Sequence, residues 1–266
     1  MKSINHILRT VRKESPILYA IVLFHVLLAM VSFVGFFIDD RMLTGLNVWV
    51  KPLKFSISGG IYVLTVGYLV TLYPFSRRKK NIVNNIVSWT LAIEIAIIVL
   101  QAGRGVRSHY NQSSLLDGLL FAAMGILISI IVMTMVFFIV ETIRLRMNVA
   151  KSIQGAILMG WLVVLFGSWV GGQMIGQMAH NVGVADGGEG LPLLNWSTLA
   201  GDLRVAHFFG LHGIQIIPLF AWVLTKKWKT KERNRMVLSV IFGLFYASWI
   251  AYTFYQAKQG MPFLKL

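Results

Sequence analysis

Seven strongly apolar stretches, each close to the length of one membrane crossing, divide this chain and leave little else for it to fold into. They run roughly over 16–38, 55–75, 82–103, 117–140, 154–177, 205–225 and 236–257. A helix needs ~20 apolar residues to cross the hydrocarbon of a bilayer, and a backbone in that medium has to satisfy its own polar groups. The chain therefore reads as all-α, a polytopic integral membrane bundle of seven transmembrane helices. Spans and short junctions consume nearly all of its 266 residues, of which 56% are hydrophobic, so 1–266 reads as a single membrane domain.

The charge sits on alternate junctions. Of the 25 Lys and Arg residues, 17 fall in 1–15, 76–81, 141–151 and 226–235. Asp39, Asp40, Asp117, Asp186, Glu189 and Asp202 fall on the opposite side. By the bias of short loops this predicts a cytoplasmic N-terminus, an extracytoplasmic C-terminus and a multi-pass protein of the cytoplasmic membrane. The formal charge of +15 then speaks for membrane lipids rather than nucleic acid as the partner, because each basic cluster adjoins an apolar span. With no cysteine, the chain has neither disulfides nor thiolate ligands.

One connection is long. Residues 178–204 combine dense Gly with Asp and Pro, which marks turns, while Leu191, Leu193, Leu194 and Trp196 are too apolar for a free linker. The expectation is a lid-like extracytoplasmic loop lying on the bundle. Gly167/Gly171 and Ser168/Gly172/Gly176 in the fifth span form small-xxx-small stripes that let another backbone approach. Pro218 is expected to bend the sixth span.

Polar side chains gather toward the expected outer end. Glu94, near mid-membrane on the third span, shares a face with Gln101, followed by Arg104, Arg107 and His109. Gln173, Gln177 and His180 form a stripe on the fifth span, and Asp202, Arg204, His207, His212 and Gln215 open the sixth. Ionisable residues at membrane depth are functional candidates by default. Imidazoles with a carboxylate suit zinc or non-haem iron. His109, His180, His207 and His212 are accordingly the candidate metal ligands, and Glu94 and Asp202 the catalytic acids. Gln101, Arg104, Arg107, Gln173, Gln177, Arg204 and Gln215 are candidate binding groups for an amphiphilic or anionic substrate. His25, in the first span, could instead share a haem with His212.

A seven-span bundle carrying His and acidic groups is superficially similar to the zinc-dependent intramembrane amidases that include alkaline ceramidases and adiponectin receptors, and that resemblance implies a metal site acting on lipids. Their final-span H-x-x-x-H pattern is missing, since the seventh span holds no His. A microbial rhodopsin would need a Schiff-base lysine there, and Lys258 stands only at its end. No family is assigned. The leading expectation is a metal-dependent membrane enzyme acting on a lipid or other amphiphile near the extracytoplasmic leaflet. The alternatives are a small-solute or ion transporter or channel with an outward-facing polar pocket, and a haem-binding or sensory membrane protein.

Overall fold

The computed structural model describes residues 4–265; Lys2, one of the basic residues of the N-terminal tail, lies outside the described residues. The elements are α1 (Ile4–Glu14), α2 (Pro16–Ile38), β1 (Met42–Leu43), β2 (Leu46–Asn47), α3 (Val50–Leu72), α4 (Arg77–Gly103), α5 (Leu115–Arg144), α6 (Lys151–Gln177), β3 (Asn181–Val182), β4 (Gly201–Asp202), α7 (Leu203–Leu211), α8 (Gly213–Lys227) and α9 (Glu232–Lys258). The class is all-α, with two short antiparallel ribbons, β1–β2 and β3–β4. Among the described residues six helices are long and apolar enough to cross a membrane. The pair α7–α8, bent by 47° at its break, makes a seventh if it counts as one span. Large apolar side chains cover the outside of these helices, among them Phe33, Phe37, Ile126, Met133 and Phe245. In water that surface would be untenable, whereas lipid accepts it.

The chain forms two compact units that divide between Thr134 and Met135, within α5. In the first, α2, α3 and α4 pack mutually. Ile95, Ile97, Ile98 and Met124 form a buried cluster against Leu28, Phe55 and Leu120, which ties the start of α5 to α4. Residues 1–15, expected only as a basic tail, contain α1. Ile7, Leu8 and Val11 fall on one helical face, and Val11 is fully buried. A Cβ on Gly67 of α3 would meet that Val11 at 3.2 Å, so the helix lies close against its neighbour. At the other end, Thr44 and Gly45 take positive φ and turn the β1–β2 hairpin. Trp49 then fills the notch at Gly35, where any Cβ would meet the indole at 2.5 Å.

The second unit is built on α6. Gly167 and Gly210 touch backbone to backbone, a Cβ on Gly210 meeting the Gly167 Cα at 2.6 Å, and a Cβ on Gly160 would meet the Ile214 Cα at 3.0 Å. The stripe expected from sequence thus packs at Gly167, with Gly171 against the His207 ring, while Gly172 and Gly176 meet nothing within 4 Å. Trp161 stacks on Phe138 at 4.7 Å, fixing the second half of α5. The bend expected at Pro218 lies elsewhere: α7 ends at Leu211, α8 starts at Gly213, and Pro218 sits inside α8. Glycines at 210 and 213, pressed onto α6, set the break. The helix absorbs Pro218 without one.

Candidate functional site

Loop 178–204 is folded by its own hydrogen bonds and packs against α7. Met178 takes the left-handed conformation that ends α6, with Ala179 N bonding back to Met174 O at 3.2 Å. Asp186 accepts from the backbone N–H groups of His180 and Asn181 at 3.0 Å and from the His180 Nδ1 at 2.6 Å. Burial pushes the Asp186 carboxyl up, but those bonds and the imidazole outweigh it and hold the group well below the usual carboxylate range. Gln177 reaches the carbonyls of Ala179 and Asn181. Further along, Asp202 caps α7 through Arg204 N (2.9 Å), accepts from Ser197 N (2.9 Å) and pairs with the Arg204 guanidinium at 2.6 Å. Arg204 also donates to the Asn195 carbonyl. Asp202 and Arg204 therefore fasten the lid to the helix beneath it. Trp196 is buried among Phe208, Phe209 and Phe263, whereas Leu193 remains exposed.

The histidines of the second unit are His180 in the loop, His207 on α7 and His212 at the α7–α8 break. His207 Nδ1 donates to the Gly167 carbonyl at 2.8 Å, which leaves Nε2 of a neutral ring with a lone pair. His212 sits at the helix break, 4.6 Å from the Phe208 ring, and bonds to Gln215. His180 and His212 are both near enough to act electrostatically on His207. Gln173 is half-buried on α6. Among the described residues, however, no three His, Asp or Glu side chains are gathered as one metal ion would require. The expected metal site gains no geometric support.

In the first unit the hairpin end holds a dense network. Arg41 and Trp49 donate to the Asp39 carboxylate at 2.6 and 2.8 Å. Their bonds keep that carboxyl far below its ordinary value. Arg104 is clamped by Gln101 and Asp117, at 2.5 and 2.6 Å, with Gln101 also bonded to Asp117. Arg107 is exposed. The ring of His109 lies among Phe55, Tyr110 and Phe121, and Lys51 Nζ lies 3.2 Å from its Nδ1. An ammonium only donates, so this nitrogen accepts.

Deeper in the same unit the pattern changes. Glu94 is 7% exposed, and its Oε2 has no hydrogen-bond partner; Lys51 is the charged group that acts on it. Ser56 Oγ and His25 Nε2 are likewise buried without partners. His25 donates from Nδ1 to the Ile21 carbonyl at 2.8 Å, so Nε2 of the neutral ring carries a bare lone pair. Gly59 and Gly60 make room for this ring, and a methyl at Gly59 would meet both Nε2 of His25, at 3.0 Å, and the Ile95 side chain. Nε2 is the atom a haem iron would take, and Gly59 of α3 stands directly against it.

Sequence reading found Glu94 and His25 but not Ser56 or the Lys51–His109 contact. The run Ser56-Ile57-Ser58-Gly59-Gly60, small residues in an apolar helix, was the available signal for a close neighbour. Compared with known protein families, curated proteins and solved structures, the chain matches none.

Proposed function

We propose that this polytopic α-helical membrane protein is a carrier or channel in which the first helical unit passes protons, alone or together with a small polar solute, and Glu94 is the group that takes the proton. The observation that carries this reading is the unpartnered Oε2 of Glu94, buried within a membrane-length helix. A lone carboxylate in hydrocarbon is expensive, and such residues mark ion paths and proton relays. Ser56 and His25 add a hydroxyl and a bare imidazole nitrogen to the same helical unit. Lys51 and His109 stand at its hairpin end, where protons would enter. Glu94 lies nine residues before the end of α4, about 14 Å in at 1.5 Å per residue. The charge bias supports a cytoplasmic N-terminus, which turns the hairpin and the lid outward.

The test is flux. Protein in liposomes loaded with a pH-sensitive dye is given a potassium-diffusion potential, and internal acidification is followed. Wild type is expected to acidify well above empty vesicles, and Glu94→Gln to lose at least about tenfold of that rate, the effect of ~1.4 kcal/mol on a barrier. Equal rates for Glu94→Gln and wild type would end the reading. So would a wild type no faster than empty vesicles.

A further inference from the structure

At the opposite end of the first unit, Ser76 caps α4 and the helix opens on Arg77-Arg78-Lys79-Lys80. The four cations are not equivalent. Lys80 approaches Glu14 at 3.9 Å, and Lys79 lies over the Phe75 ring at 4.6 Å. Arg77 and Arg78 have no ion pair among the described residues, and both line a surface groove of about 740 Å³ together with Asn81, Ile82, Asn85 and Ile86. Asn85 uses one amide hydrogen on the Asn81 carbonyl. The groove therefore opens on two guanidinium groups, and deeper along α4 the carboxamides of Asn81 and Asn85 alternate with the exposed isoleucines Ile82 and Ile86. Arg9, Arg12 and Lys13 on α1 add positive charge to the same end of the unit.

We propose that this groove binds an anionic phospholipid. Its phosphodiester lies against Arg77 and Arg78, whose planar forks match phosphate oxygens. Hydroxyls of the headgroup meet Asn81 and Asn85, and one acyl chain follows Ile82 and Ile86. The order of these groups along the helix, charge first and hydrocarbon deeper, is the order of groups in a lipid entering the bilayer. Free phosphate would satisfy the arginines but would leave the isoleucines uncovered. The proposal is independent of the proton reading above.

Protein in phosphatidylcholine nanodiscs is titrated with phosphatidylglycerol, and retained lipid is counted by native mass spectrometry while unfolding temperature is followed. Retention of phosphatidylglycerol over phosphatidylcholine, with a rise in unfolding temperature, is expected. The double variant Arg77→Gln/Arg78→Gln should weaken retention at least tenfold, while Lys79→Gln/Lys80→Gln, equal in charge lost, should keep most of it. Ile82→Asn, which leaves every cation in place, should also weaken it. Equal loss in the two double variants would reduce the effect to net charge and overturn the site. Displacement of the lipid by millimolar inorganic phosphate, or equal retention of both lipids, would overturn it too.

Discussion

Asp186 shows how much one carboxylate can organise. It gathers two backbone N–H groups and an imidazole at the point where the chain leaves α6. Its folded-state pKa lies below its ordinary value, so the ionised form is the one the folded lid prefers. That contribution is complete above the unfolded pKa, near ~3.9, and is lost only as pH falls through the depressed value. Between pH 8 and pH 5 the lid should therefore keep its order as far as Asp186 is concerned. Asp186→Asn removes the charge at every pH, and hydrogen bonds to charged groups contribute about 1.5–3 kcal/mol. Amide exchange at His180 and Asn181 should accelerate by about tenfold or more in the variant at pH 8, where wild-type Asp186 is fully ionised. Unchanged protection would show that the strand pair β3–β4 holds the loop without it. The same scale explains why the roles of Asp202 and Arg204 were not legible. Their spacing was visible in the sequence, but their partners, Ser197 N and the Asn195 carbonyl, depend on how the loop folds back.

At the scale of elements, α6 presents two kinds of glycine. Gly167 and Gly210 are in backbone contact, whereas Gly172 faces open space. Gly210→Ala should destabilise by about 1–3 kcal/mol through overpacking. Gly172→Ala should stay within about 1 kcal/mol of wild type, toward greater stability, because alanine is the better helix former. Thermal unfolding in one detergent checks both, and equal shifts would mean that the packing argument fails. Small-residue spacing announced a close approach but could not say which glycines meet a neighbour, since that depends on the rotation of the helix. Apolar length made the long helices readable. The apolar residues of α1, Ile7, Leu8 and Val11, also stand in the sequence, but interspersed with the basic charge of 1–15. The break at His212 was hidden for a different reason. Pro218 is the stronger local signal, while the bend arises from contact between Gly210, Gly213 and α6.

For the whole molecule, the alternating basic junctions make a definite statement about sidedness. The chain has no native cysteine, so single cysteines can report it directly. Lys229→Cys and Glu189→Cys are both at exposed positions, in the α8–α9 junction and the lid. In intact cells a membrane-impermeant maleimide should label the second and not the first. Labelling of both, or of Lys229→Cys alone, would overturn the topology. The lid also has a bearing on how the protein is made. Gly201 lies so close to α9 that a Cβ would strike the Ala257 carbonyl, and Trp196 rests on Phe263. Both partners are translated after the loop itself. The stretch 178–204 therefore leaves the ribosome able to make its internal bonds, Asp186 to His180 and Asp202 to Ser197, but ahead of its contacts with α9 and Phe263. A chain stalled shortly before Phe263 would carry every apolar helix and still lack the Trp196–Phe263 contact.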